Sequence, residues 1–468
     1  MNLLIVVTTN TLQVDLSYIY MTSSSSLTII YILVVMYALC YQLQSPIQPF
    51  LIEKLTNQTA GDANVNFKQT YANIKSFFSI IQGVGSLIFG VILDRYGVRV
   101  GLIINFLACA SCYYMLSITD SVEMLYASKV PGIAMAGFLC AQTAVIKLTS
   151  PGTDRLKALG RLTTSYTIGG TLGPYLGGQL GASGDYYVGA QYATIGSLLC
   201  VVLVFFLPKE MDAIETTEQD DTNTNEKDDE RTRRAKNRAA KKKEPVVSGK
   251  NWLSRVQQIF SLVGIFLFIK LSTSIANSMA RSSQPLILKS LGANESIMGT
   301  VMSIQFAFGG FANGFLLSPI TSLMGGSVLK VVRNCILMMA IIYGFQSLLY
   351  SEYGASILPL SDSVARQYPF IVIAMILSLF QYSLGTSITT NTSNIVSKEM
   401  QGTLIGIEHS IFAFSYLIGP QVGIYVYEIG GISGLSIACA SVFMLVFAIW
   451  SVSTPTVMVD PVDGKKND

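Results

Sequence analysis

The sequence predicts an all-α integral membrane protein of twelve transmembrane helices, arranged as two six-helix pseudo-repeats. Three observations carry that expectation. The chain of 468 residues is 51% hydrophobic and only 13% charged, where soluble domains carry roughly 25% charged residues, and its mean hydropathy is +0.49. Apolar runs of the length a bilayer requires, about 20 residues, fall into two sets of six, before residue 208 and after residue 258. Short motifs at the ends of the first set recur in the second.

In chain order, residues 1–26 form a tail whose apolar stretch lacks a basic leader, a poor signal peptide, so the first span is expected to act as the targeting signal. Spans 1–6 lie near 28–50, 72–93, 98–118, 122–146, 159–181 and 187–207, making a first bundle over 27–207. Residues 208–258 are acidic first and basic later, with few large apolar residues, and read as a disordered linker. Spans 7–12 lie near 261–286, 296–317, 328–350, 369–396, 403–427 and 432–452, a second bundle over 259–452, followed by a tail over 453–468.

Charge sets the orientation. One side collects Arg95, Arg99, Lys147, Arg155, Lys157, Arg161, Lys330, Arg333 and Lys398; the other holds Lys54, Lys68, Lys75, Lys289 and Arg366. With the basic linker, this bias places both tails in the cytosol. The sequons at Asn57 and Asn294 then fall in non-cytosolic loops and are candidate glycosylation sites, while that at Asn391 lies inside a span. The seven cysteines all sit in apolar runs and read as small hydrophobes. The net charge of +3 points to no nucleic acid. No metal-ligand or catalytic constellation is legible, so an enzyme is the least expected class, and no cofactor is expected.

The repeat is visible in three places. Gln48 to Leu55 (QPFLIEKL) matches Gln284 to Leu291 (QPLILKSL). Gly90 and Asp94 correspond to Gly314 and Ser318. Gly160, Gly173, Pro174 and Gly177 of span 5 share their spacing with Gly406, Gly419, Pro420 and Gly423 of span 11. Two such halves related by an axis along the membrane normal are the layout of a rocking transporter.

Gly90, Asp94, Arg95, Gly97 and Arg99, in GVILDRYGVR, join spans 2 and 3. They resemble the loop signature of the major facilitator superfamily. Gly160, Gly169, Gly173, Pro174, Gly177 and Gly178 fill every fixed position of a glycine-rich signature in span 5 that resembles the drug–proton antiporters of that superfamily. ASKVPGIAMAG in span 4 resembles a third signature, with Lys129 where arginine is usual. YASKVPGIAMAG, KALGRL with LGPYLGG, and IFLFIKLSTS together resemble the solute carrier family 22 member 18 group, close to tetracycline exporters. The resemblance implies the major facilitator fold, a latch between the halves at the Asp94 loop, and proton-linked export of small organic ions or drugs. Ser318 and Pro319 replace the latch acid in the second half, whose copy is expected to be lost. The glycines of span 5 four apart make one flat face for close packing, and Pro174 is expected to bend that helix.

Charges within spans are costly, about 2.5 kcal/mol or more each on insertion scales, and point to function. Lys270, Ser274, Asn277 and Arg281 share one face of span 7, expected to line the central cavity, with Arg281 near the far interface either joining them or snorkelling to the surface; Tyr37, Tyr41, Gln44 and Gln48 make a polar stripe on span 1, whose Pro46 and Pro49 free carbonyls near its end. Lys129 either works in the cavity or snorkels to the surface. Glu408, beside the sole histidine His409, is the one carboxylate expected inside a span. It is either the titrating site, paired with a cation such as Lys270, or a complement to the helix dipole. Cations outnumber Glu408, so an anionic or zwitterionic cargo fits the charge at least as well as a cation. The expected protein is a monomer exchanging a small organic ion for protons across the plasma membrane or an endosomal, lysosomal or vacuolar membrane. A facilitated uniporter and a non-transporting scaffold are the alternatives.

Overall fold

The computed structural model describes residues 25–59, 66–149, 153–207, 249–323, 325, 327–357, 363–396 and 400–457. Among these the regular structure is helical, with no strand. Span 1 is the helix Ser25–Gln42, followed by a turn and the helix Gln48–Thr59. It was expected to run on to residue 50; Pro46, which has no N–H to donate and disfavours helix in the residue before it, ends it earlier. Spans 2 and 3 form the run Phe67–Ser117, divided at Gly97, whose φ of 83° and ψ of 172° lie outside the helix. That left-handed φ is where glycine alone is unstrained, so the loop signature places its glycine at the turn itself.

Span 4 is broken: Val122–Ala127 is α-helical, Val130–Ala134 is a 3-10 turn, and Gly137–Leu148 resumes the helix. A continuous helix was expected; Pro131 and the close approach of span 2 interrupt it. A Cβ placed on Gly85 of span 2 would come within 1.9 Å of the Ile133 carbonyl oxygen. Span 5 is Thr153–Gly181, with Pro174 inside it, and span 6 is Val188–Val204.

Span 7 is Gly249–Ser290, so helix already begins within the last part of the stretch read as linker; residues 208–248 lie outside the described residues. Span 8 runs from Glu295 through a π-turn at Ala312–Leu316 to Leu323. Spans 9 and 10 are Val328–Leu349 and Ser363–Ile395, with the short helix Glu352–Ile357 between them. Spans 11 and 12 form Gln401–Val457, divided at Gly431, where φ is 60°. Among the described residues, eight helices are long and apolar enough to cross a membrane. Divided at Gly431 and joined by the shorter or more polar helices of spans 2, 5 and 6, they are consistent with twelve crossings.

The end of the bundle that carries the Gly97 turn is called the signature face below, and the opposite end the far face. One buried core, including Leu33, Phe106 and Leu162, stays within the first half. The other fills the second half and takes in Ile47, Leu51, Leu55, Tyr71 and Ile74 from the far ends of spans 1 and 2 and the helix after span 1. The halves are therefore welded at the far face. The hydrogen bonds that join them among the described residues gather there too: Gln69 Nε2 donates to Gln421 Oε1 (2.9 Å), Ser76 Oγ to the Leu417 carbonyl (2.7 Å) and Gln179 Nε2 to Ser296 Oγ (2.7 Å). Lys289 pairs with Glu53 across the same boundary. Toward the signature face no hydrogen bond between the halves is found among the described residues, and a Cβ on Gly160, Gly314 or Gly406 would meet nothing within 4 Å.

Candidate functional site: a charged, aromatic cleft between the halves

The repeat positions the walls of the cleft. Gly169, Gly173 and Gly177 lie four apart on span 5, and an added Cβ there would sit 2.2, 2.7 and 2.0 Å from the carbonyl oxygens of Val35, Leu39 and Leu43. Span 1 is thus laid backbone-to-backbone on span 5. Gly419 and Gly423 set span 11 on span 7 in the same way, against Ser278 and Met279. Spans 1 and 7 are held inside their bundles by these glycine faces, as small-residue packing requires.

On span 7, the stripe expected from the sequence forms but does not act as one unit. Lys270 Nζ lies 2.8 Å from Glu408 Oε2 of span 11, with side chains 17% and 9% exposed. It also donates to Thr389 Oγ1 of span 10 at 2.7 Å. Thr389 in turn donates to Glu408 Oε2 (3.3 Å), and Thr392 donates to Glu408 Oε1 (3.0 Å). Thr389 and Thr392 are three apart, hence on one helix face. Both carboxylate oxygens of Glu408 are therefore satisfied, which a largely buried ion pair needs in order to persist. The sequence offered Lys270 as a partner for Glu408; it missed the two threonines, which sit in a stretch notable only for the sequon at Asn391. Asn391 itself is buried.

Ser274 and Asn277 continue the stripe, Asn277 with its Oδ1 buried and unpartnered. Arg281 donates from Nη2 to Gln381 Oε1 (3.1 Å), and its guanidinium stands 5.7 Å from the centre of the Tyr382 ring. The helix runs on to Ser290, so Arg281 lies well inside it.

In the first half, Tyr37 and Tyr41 stack at 6.4 Å, and Tyr41 stacks on Phe78 at 6.3 Å. Lys129, at the break in span 4, places Nζ 5.8 Å from the Phe78 ring. The break is what leaves Lys129 at the head of a 3-10 turn beside the aromatic cluster. Tyr166 of span 5 lies beside Gln42 and within electrostatic reach of Tyr382, Tyr416 and Arg281, which brings the two halves to one cleft. Gln44 does not join it: it is buried in the turn after span 1, against Gly189. Lys75, counted from the sequence as a surface cation, lies within span 2, 5.4 Å over the Tyr71 ring and close enough to Lys129 for the two charges to repel.

At the signature face, Arg99 donates to the Phe205 carbonyl (3.0 Å), and Arg95 lies beside Tyr96. The side chains of Gly90 and Asp94 are outside the described residues. Asn57 is exposed near the end of Gln48–Thr59, and Asn294 caps span 8 by accepting from the Ile297 N–H (2.9 Å).

Comparison with known proteins agrees with this layout. Residues 30–357 match the family model of the Major Facilitator Superfamily. The mouse protein Solute carrier family 22 member 18 is 32% identical over 180 residues, 37% of this chain and 42% of its own length. Tetracycline resistance protein, class H, of Pasteurella multocida is 24% identical over 185 residues, 39% of this chain and 44% of its own. The chain thus matches less than half the length of these relatives. Among solved structures, a peptide transporter POT in complex with sulfate superposes with a TM-score of 0.68 at 12% identity, covering 92% of this chain and 94% of that one, a likeness of fold. From the family match and the doubled six-helix architecture together, the chain belongs to the Major Facilitator Superfamily of membrane transporters.

Proposed function

We propose that the protein is a secondary transporter that exports small organic ions in exchange for protons by alternating access, with Glu408 as the titrating group. The observation that carries the reading is the Lys270–Glu408 pair, held by Thr389 and Thr392 and bridging spans 7, 10 and 11. Protonating Glu408 removes its charge and leaves Lys270 without a counter-ion, so the packing of three helices depends on one proton. The complete glycine signature of span 5 and the resemblance to tetracycline-resistance proteins support export.

The charge bias along the loops supports placing the signature face, both tails and the 208–258 linker in the cytosol. On that orientation the described conformation opens inward, and Glu408 exchanges protons with the cytosolic side. Asn57 and Asn294 then face away from the cytosol, available for glycosylation.

Flux in proteoliposomes under an imposed pH gradient tests the coupling. Wild-type flux should follow the gradient; Glu408→Gln should exchange cargo without regard to it. Flux indifferent to the gradient in the wild type would sink the proposal. One observation favours a second reading, facilitated uniport: the span 1 helix Ser25–Gln42 carries no acid. Uniport predicts wild-type flux that ignores the gradient and a Glu408→Gln variant indistinguishable from it.

A further inference from the structure

Buried charges are normally paired, because an unpaired one forfeits its hydration with no return. The interior cations divide on this point. Lys270 is answered by Glu408, and Lys289 at the far face by Glu53. Arg281 has only neutral company among the described residues: the amide oxygen of Gln381, and the ring face and hydroxyl of Tyr382. A guanidinium offers five donors in a planar fork, and most of that fork is uncommitted.

Arg281 also forms part of the wall of a cavity within the second half, together with Gln284, Gln305, Gln346, Gln381 and Tyr343. This cavity is built, not incidental. Gln284 and Gln305 lock each other by reciprocal amide hydrogen bonds of 3.0 and 3.2 Å. Tyr343 is 2% exposed, and its hydroxyl is buried beside Gln381 without a hydrogen bond of normal geometry. A buried unpartnered hydroxyl costs about 1–3 kcal/mol and is explained by something it serves. The wall thus presents a fixed cation and a free hydroxyl donor, set among amides and the apolar surfaces of Phe370 and Leu377. On its other side Arg281 is near Tyr382 and Tyr416 of the central cleft. The opposite half contributes more charge of the same sign: Lys75 and Lys129 are close enough to repel and have no carboxylate partner among the described residues.

We infer that the cargo is an organic anion, whose carboxylate, sulfonate or phosphate group is received by the Arg281 guanidinium and the Tyr343 hydroxyl while its apolar body lies against the tyrosines of the cleft. The inference rests on the transporter reading and names its cargo. A bidentate Arg–oxyanion contact is the strong, directional kind, and the aromatic surfaces supply the shape-tolerant remainder. An organic cation would enter a cleft where Lys75, Lys129 and Arg281 all repel it and Glu408, the interior carboxylate among the described residues, is already engaged.

A matched pair of probes tests this: 2-naphthalenesulfonate and trimethyl(2-naphthyl)ammonium, equal in ring system and opposite in charge. Binding to the purified full-length protein is read as a concentration-dependent thermal shift at fixed pH, with no gradient. The sulfonate should stabilise the wild type saturably and the ammonium should not. Arg281→Gln should weaken the sulfonate at least about tenfold, the equivalent of one lost charged hydrogen bond. Arg281→Lys should fall between, keeping the charge and losing the fork. The unliganded Arg281→Gln protein should melt no lower than the wild type, because it loses a half-buried charge that has no counter-ion among the described residues; this separates lost binding from lost folding. Stabilisation by the ammonium alone, by both probes equally, by neither, or by the sulfonate undiminished in Arg281→Gln, overturns the inference. Arg281-dependent sulfonate binding with no proton-driven flux would remove the exchanger and leave the anion site. Proton-driven flux of the ammonium, unchanged in Arg281→Gln, would do the reverse.

Discussion

Where spans 5 and 8 meet, backbone touches backbone; where spans 2 and 11 meet, side chains do the joining. The two seams hold equivalent places in the repeat. At the first, a Cβ on Gly178 would come 2.5 Å from the Glu295 carbonyl oxygen and 2.9 Å from Gly299 Cα, and Ser303 donates to the Thr171 carbonyl at 2.6 Å. At the second, Gln421 donates to Asn73 at 3.0 Å and accepts from Gln69, Ser76 donates to the Leu417 carbonyl, and Asn66 reaches Glu428. Close apolar contact has no give, because a small gap forfeits much of the dispersion attraction, so the first seam is either shut or open. Amide networks exchange readily for water, so the second can part with little loss. The seams thus share a design but are suited to different mechanical roles: span 5 against span 8 to fixing the closed state, and span 2 against span 11 to tuning it.

The sharpest way to break that comparison is Gly178→Leu. The new side chain collides with the backbone of span 8, and overpacking of this kind costs about 1–3 kcal/mol or more. Insertion should survive while flux falls at least tenfold and cysteine reporters at the far face become reactive; normal flux would mean that the seam does not need to close there. Next comes Glu408→Gln, which leaves Lys270 unpaired and should cost about 1–3 kcal/mol, less than a fully buried pair because water reaches both groups. On the proton-exchange reading proposed above, wild-type thermal stability should depend on pH more than that of Glu408→Gln. Gln421→Ala should be milder, about 1 kcal/mol, raising far-face reactivity without stopping transport. Lys289→Ala, removing a pair whose acid is 37% exposed, should shift stability by less than about 1 kcal/mol. If Gln421→Ala proved as damaging as Gly178→Leu, the two seams would be mechanically alike after all.

Much of this was legible beforehand because membrane helices are written in composition and the repeat in spacing. The glycine faces of spans 5 and 11, the Gly97 turn, and the residues Lys270 and Glu408 all stand out in a chain so poor in charge. What stayed hidden depended on helix ends and on distant partners. Lys75 looked like a surface anchor because span 2 was begun at residue 72, whereas the helix starts at Phe67, which carries Lys75 inward. Span 1 was carried past Pro46, and Gln44 with it. The break in span 4 was announced by Pro131 and Gly132, but a short interruption leaves overall hydropathy unchanged. Thr389 and Thr392 carry no signal of their own in sequence: a threonine facing its own helix and one facing a buried carboxylate look the same until span 11 is placed beside them.

On the proposed exchange cycle, protonation of Glu408 decides whether the far-face seam is closed. Pulsed electron–electron distance measurements between spin labels at Ser183→Cys and Glu352→Cys, exposed positions at the far ends of the two halves, address it directly in lipid nanodiscs. The account predicts a distance distribution that moves between short and long populations as pH changes in the wild-type background, and that stops responding to pH in Glu408→Gln. A distribution that ignores pH, or one that responds equally in both backgrounds, would contradict it.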